Sequence, residues 1–244
     1  HADLAERKEI EAALRQADRR EDHFLATLAH ELRNPLAPMM TAVHLLKNAT
    51  ANGRSHERAL ATLDRQLLHM VRLIDDLLDF SRITRGQISL RRDRVTVADI
   101  IAAAVETSRP EIDQRQHRLH VEVPKAGMAL DVDPVRISQA VSNLLTNAAR
   151  YMNPGGDIRL TVSADGDDVV LSVSDSGIGM TPELIANVFD MFVRGTDSAV
   201  SAPGGLGIGL TLAKTLVEMH GGSISAKSKG PNQGSEFTIR LHQS

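Results

Sequence analysis

One glycine, Gly53, and two prolines, Pro35 and Pro38, are all that interrupt the first 84 residues of this 244-residue chain. A stretch so poor in helix-breaking residues predicts two long helices joined near residues 48–55. In the second arm Leu60, Leu63, Leu67, Met70, Ile74 and Leu77 recur every three or four residues, and Leu68, Val71 and Leu78 widen the stripe. So broad a stripe exceeds what one partner helix can cover. The expected assembly is a four-helix bundle built from two copies of the hairpin, a homodimer. Upstream, Ile10, Leu14, Ala17, Glu21, Phe24 and Leu28 keep a heptad-like seam. It predicts a coiled-coil extension, either a relay from an upstream domain or a plain stabilising element.

The first arm places one ionisable imidazole away from its apolar stripe. Leu25, Leu28, Leu32 and Leu36 share a face, and His30 lies two residues from Leu28 and from Leu32, turned away from both. Asn34 falls one turn later on the side of His30. Glu31 is adjacent, near enough to accept a hydrogen bond from one ring nitrogen and leave the other nucleophilic. Pro35 and Pro38 remove the backbone donors to the carbonyls of Glu31 and Asn34, which predicts a bend just beyond His30. These residues alone fit a nucleophile or an ordinary surface histidine.

Beyond Gly86 the pattern changes. Alternating runs at 118–123, 157–164, 168–174, 222–227 and 235–241 read as strands, and helical patterns at 97–108, 134–151, 182–189 and 208–220 are interspersed. This predicts a two-layer α/β sandwich with helices on one face, residues 1–86 forming the hairpin domain and 87–244 the α/β domain. Cysteine is absent, which excludes disulfides, thiolate zinc sites and cysteine catalysis together. The net charge of −3 gives no basic field for nucleic acid. No run of eighteen apolar residues occurs, so the chain is expected to make no direct membrane contact and to lie in the cytoplasm. It opens on His1 and is expected to be part of something longer or a processed product.

Four motifs in the second half point to a nucleotide. Asn143 and Asn147 lie one turn apart on a helix whose other side carries Leu144, Leu145 and Ala148. Two neutral amides there suit a magnesium ion whose phosphates already bring negative charge, or amide capping within a core. Asp175-Ser176-Gly177-Ile178-Gly179 follows a strand: the carboxylate could accept an amino proton from a base such as adenine, or the segment could be a simple turn. Phe189 and Phe192 fall near Arg194. Gly204-Gly205-Leu206-Gly207-Ile208-Gly209 opens a helix, an arrangement whose backbone N–H groups and dipole favour an anion. Residues 195–203 between these motifs are small and polar, as a lid would be.

Together with His30-Glu31-Leu32-Arg33-Asn34-Pro35, these motifs in this order resemble the transmitter core of bacterial sensor histidine kinases, in which a phosphoacceptor hairpin precedes an ATP-binding domain of Bergerat fold. The resemblance covers essentially the whole chain. It implies autophosphorylation of His30 from ATP and transfer to an aspartate of a response-regulator receiver domain, under an upstream sensor domain. It assigns Glu31 as the base, Asn34 as the residue that orients water when the regulator is dephosphorylated, and Asn147 as the Mg2+ ligand. Asn143 and Arg150 would lie beside the phosphates and Tyr151 against the base. Asp175, with Gly177 and Gly179, would hold the adenine amino group. Arg194 would approach the γ-phosphate, and Gly205, Leu206, Gly207 and Gly209 would line the triphosphate. Met152 departs from the threonine or serine often found in the family, and Asn34 from the commoner threonine.

Two rivals belong to other classes. Gyrase-type, mismatch-repair and chaperone ATPases share the Bergerat fold but activate water with a carboxylate on the asparagine helix. Here the corresponding residue is Gln139, and Ser142 to Asn147 include no acid. A non-catalytic scaffold is disfavoured by the intact Asn147, Asp175 and glycines.

Overall fold

In the computed structural model the described residues are 28–47, 53–87, 89–124, 127–191, 193 and 207–243. The expected coiled-coil seam upstream of Leu28 and residues 48–52 of the helix joint lie outside them. The chain falls into two compact units that divide between Asp75 and Asp76.

The first unit is helical. Helix α1, described over residues 28–47, continues through Pro35 and Pro38 without a break, and α2 (Gly53–Thr84) runs for 32 residues. Buried here are Glu31, Pro35, Ala42, Ala59 and Leu73. Several other long aliphatics do otherwise: Leu36 and Met40 are 45% and 74% exposed, and Leu67, Leu68, Val71 and Ile74 range from 44% to 61%. Among the described residues a single hairpin therefore buries two alanines, Pro35, Leu73 and one carboxylate, and presents an apolar face outward. Among the described residues nothing covers the stripe that carries Leu36.

The second unit is an α/β sandwich. Five strands, β2 (Arg118–Glu122), β4 (Asp157–Asp165), β5 (Asp168–Asp175), β7 (Ser235–His242) and β6 (Ser223–Lys227), form one sheet in that order, with β2 parallel to β4 and the other pairs antiparallel. Alternation sets the inner face: Ile158, Leu160 and Val162 on β4, Val169, Leu171 and Val173 on β5, and Phe237, Ile239 and Leu241 on β7 are all buried. The register pairs Val173 with Leu160 and Phe237, so these rows stack across the sheet.

Helix α4 (Pro134–Arg150) lies between α3 (Val97–Gln114) and α6 (Gly209–Met219) and packs on β4 and β5. Ile137, Val141, Leu144, Leu145 and Ala148 form its buried side. The helix starts where the sequence dictates: Asp133 caps the N–H groups of Val135 and Arg136 at 3.1 and 3.2 Å, and Pro134 occupies the first turn. A short helix, α5 (Pro182–Asn187), follows β5.

Three features depart from the expected pattern. Helix α3 runs six residues beyond Ser108, through Pro110, because fully buried Ile112 packs the extra turns into the core. Strands β1 (Asp93–Thr96) and β3 (Ala129–Val132) form a separate antiparallel pair that the charged, four-residue segment Asp93–Thr96 does not announce. The last turns of α2 belong with the second unit: Asp79 accepts hydrogen bonds from Arg136 at 2.8 Å and from Gln139 at 2.9 Å.

Candidate functional site

The histidine locus sits on α1 of the first unit. The His30 side chain is 70% exposed, whereas that of Glu31 beside it is 2% exposed. Consecutive side chains on a helix diverge, and Nδ1 of His30 lies 3.8 Å from Glu31 Oε1, an electrostatic contact rather than the expected hydrogen bond. Asn34, one turn on, does reach the ring, with its Nδ2 at 3.2 Å from Nδ1. Both polar neighbours thus address Nδ1, and Nε2 is the ring nitrogen at the open end.

The second locus is in the second unit, at the end of β5. Asp175 continues the inward row Val169, Leu171, Val173, so strand alternation alone points its carboxylate into the protein. Burial pushes its pKa up to about 6, against the opposing pull of backbone hydrogen bonds from Gly177 and Ser235. The Gly177 N–H donates to Asp175 Oδ1 at 2.8 Å, and a Cβ on Gly177 would sit 2.6 Å from that same oxygen and against the Tyr151 carbonyl. Gly179 has φ +66°, and a Cβ there would strike the Gly230 carbonyl. Both glycines are required by the fold of the loop itself.

Helix α4 carries the amides to the same region. Asn143 donates to the Gly209 carbonyl at 3.1 Å, tying α4 to the first residue of α6. Asn147, half-buried, follows one turn later, and Tyr151 caps the helix while its carbonyl accepts from the Ile178 N–H at 3.0 Å. Helix α6 begins after Gly207, at φ +66°, with no side-chain cap at Ile208, so its first N–H groups are not claimed by a capping side chain. Arg150, expected beside the phosphates, pairs through its guanidinium with Glu111 of α3 at 2.7 and 3.3 Å. Met152 is 1% exposed and accepts a hydrogen bond from the Ser176 hydroxyl at 3.2 Å, so this departure from the family pattern is a core residue beneath the loop. Arg194, Gly205, Leu206 and the expected lid at 195–203 lie outside the described residues.

Sequence reasoning missed the turn between β6 and β7. Asn232 N–H donates to the Ile178 carbonyl at 2.6 Å, Gly234 N–H to the Gly177 carbonyl at 3.1 Å, and Met180 N–H to the Ser228 hydroxyl at 3.0 Å. The Gly, Pro and Asn residues at 230–234 signal a hairpin turn, but nothing local signals what it docks against. Gln139, where hydrolytic relatives of the fold carry an acid, holds Asp79 through its Nε2 and accepts from Arg136 at 2.9 Å.

Two family models match in tandem: the His Kinase A (phospho-acceptor) domain over residues 20–86, and the histidine kinase-, DNA gyrase B-, and HSP90-like ATPase over residues 132–244. The chain belongs to the sensor histidine kinases of two-component systems. Among histidine kinases and their kin, two-component system protein A of Emericella nidulans is 32% identical over 96% of this chain and 36% of its own length. Sensor protein DivL of Caulobacter vibrioides is 35% identical over 94% of this chain and 29% of its own. The chain thus spans about a third of the length of these curated relatives. Full-length ShkA, crystallised in complex with AMPPNP, superposes with a TM-score of 0.63 and 27% identity over 90% of this chain and 45% of that one. The helical region followed by the α/β sandwich is the histidine-kinase architecture, and its second module is the ATP-binding one. No helix among the described residues is long and apolar enough to cross a membrane.

Proposed function

We propose that this chain autophosphorylates on His30 from ATP and passes the phosphoryl group to an aspartate of a response-regulator receiver domain. Residues 1–86 are the dimerisation and phosphoacceptor domain and residues 87–244 the catalytic domain. The observation that carries this reading is the pairing, in one chain, of an exposed imidazole addressed at Nδ1 with a half-buried carboxylate set among glycines at a strand end.

In the reaction, Nε2 of His30 attacks the γ-phosphorus in line. The N–P bond forms as the bond to the β,γ-bridging oxygen breaks and ADP leaves; the reacting tautomer carries its proton on Nδ1, which requires the Asn34 Nδ2 donor to have left that nitrogen, and this proton passes toward Glu31. Buried Glu31 stabilises positive charge on the ring as the bond forms. Asp175 selects the base by accepting its amino proton, Tyr151 packs against it, and Gly205, Leu206, Gly207 and Gly209 present backbone N–H groups to the triphosphate. Arg194 meets the γ-phosphate. The residues fit a magnesium ion at Asn147: a neutral amide suffices where phosphates supply the charge, and bound there the ion offsets charge on the transferring oxygens. Asn143 and Asn147 sit on one face of α4, and Asn143 also fixes the start of α6. Arg150, paired with Glu111, reaches the phosphates only by exchanging that carboxylate.

The exposed face of Leu36, Met40, Leu67, Leu68 and Val71 supports a homodimer, the second copy covering it. Asn34, able to place a water near His30, supports phosphatase activity toward the phosphorylated regulator. The parent protein carries a sensor domain upstream.

The test is incubation with γ-labelled ATP and Mg2+, followed by addition of a receiver domain. Acid-labile, alkali-stable label is expected on the wild type, none on His30→Gln, and chase of the label onto the receiver. Equal labelling of His30→Gln, or ATP binding with no label, refutes the proposal.

A further inference from the structure

The loop that holds Asp175 is gripped from two sides. From one, the Tyr151 carbonyl accepts the Ile178 N–H at 3.0 Å. From the other, the 228–234 turn makes hydrogen bonds to three residues of four: the carbonyls of Gly177 and Ile178 and the N–H of Met180. Gly177 in turn donates to Asp175 Oδ1 at 2.8 Å, so the backbone that the turn fixes is the backbone that orients the carboxylate.

One side chain ties the turn together. The Ser228 hydroxyl accepts from Met180 N–H at 3.0 Å and from Gly230 N–H at 3.3 Å, and donates to the Gly234 carbonyl at 2.6 Å. A serine hydroxyl offers one donor and two acceptor sites, and all three are used. The loop presses close beside the hydroxyl. A Cβ on Gly179 would meet Ser228 Oγ at 3.1 Å as well as the Gly230 carbonyl, and Gly234, at φ +69°, abuts the Asp175 carbonyl. Met180 and Gly234 are buried, so water cannot replace the hydroxyl at either partner without opening the turn.

We infer that Ser228 is a positioning residue for base recognition: through Met180, Gly234 and Gly177 it sets where the Asp175 carboxylate stands, and thereby how sharply an amino-bearing purine is preferred over a carbonyl-bearing one. The inference rests on the reading of Asp175 as the adenine acceptor and names what holds that acceptor in place. A carboxylate accepts from the amino group of adenine and repels the carbonyl oxygen of hypoxanthine, and that contrast is large only while its position is fixed.

The experiment measures binding of ADP and of IDP, each with Mg2+, to the full 244-residue chain. The variants are Ser228→Ala, Ser228→Thr and, as a control for stability loss alone, Ile239→Val in the core of β7. Removing the hydroxyl is expected to weaken ADP about tenfold and IDP less than about twofold, so that the preference falls about tenfold. Ser228→Thr should restore the preference and Ile239→Val should leave it intact. A preference unchanged in Ser228→Ala, or lost equally in Ile239→Val, overturns the role of Ser228 while leaving the adenine site standing. A wild type that binds ADP and IDP alike overturns the adenine reading, and this inference with it.

Discussion

Asp175→Asn should make the nucleotide-free protein more stable and a worse binder of ATP. The carboxylate belongs to the inward row of β5, and its burial lifts the pKa from 3.8 to about 6. A shift of about two units corresponds to about 3 kcal/mol at 1.36 kcal/mol per unit, trimmed to about 2 kcal/mol because the residue retains some access to water. The sign follows from proton counting. Between pH 3.8 and 6 the folded state holds a proton that the unfolded state has released. Stability therefore falls as pH rises through that window, and the penalty is complete above it. Asparagine keeps an oxygen for the Gly177 N–H and carries no charge to desolvate. At pH 7.5, thermal unfolding without nucleotide should rise by about 4–8 °C, and the gain should shrink as the pH is lowered from about 6 toward 4. ADP affinity should drop in the variant, and the wild type should lose about tenfold in affinity at pH 5 relative to the variant's own pH trend. A variant less stable than wild type at pH 7.5 would refute the reasoning. It would mean that the Gly177 and Ser235 hydrogen bonds outweigh desolvation.

Two buried histidines should oppose that trend. Burial lowers the pKa of His117 and of His220, whose Nδ1 donates to the Leu216 carbonyl at 2.7 Å while Nε2 accepts from Asp133 N–H at 3.0 Å. Their stabilisation is complete above pH 6.5 and is lost as pH falls below it, so in the Asp175→Asn background denaturant midpoints should decline steadily from pH 7 to 5. The Asp79–Arg136 pair, whose side chains are 13% and 22% exposed, should show a coupling of about 1–2 kcal/mol in a double-mutant cycle of Asp79→Ala and Arg136→Ala. Additive losses would show that the pair carries no mutual energy.

The sheet was legible because its strands alternate cleanly. Val169, Leu171, Val173 and Asp175 mark one face without any knowledge of partners, and they also predict that Asp175 points inward. The helical pattern from Pro134 marked the start of α4, and the structure adds the Asp133 cap. Whatever depended on distant segments was not legible. Strand β1 has no apolar alternation and exists through pairing with β3, and α3 passes Pro110 because Ile112 is buried. The pairing of Arg150 with Glu111, 39 residues away, has no local signature. Neither has the docking of the Ser228 turn on the Asp175 loop, since spacing reports which turns form and not what they press against. On α1 the periodicity placed His30 outward and Asn34 beside it, but it gave no sign that Glu31 is buried or that Leu36 is exposed on the single hairpin. Long aliphatics left exposed on a single hairpin look, from sequence, the same as core.

The central claim is that Nε2 of His30 receives the phosphoryl group. The direct measurement is long-range proton–nitrogen NMR of the chain, labelled with 15N-histidine, after incubation with ATP and Mg2+. A phosphorylated Nε2 on one histidine, absent from His30→Gln, is expected. Phosphorylation at Nδ1, or on any other histidine, would contradict it.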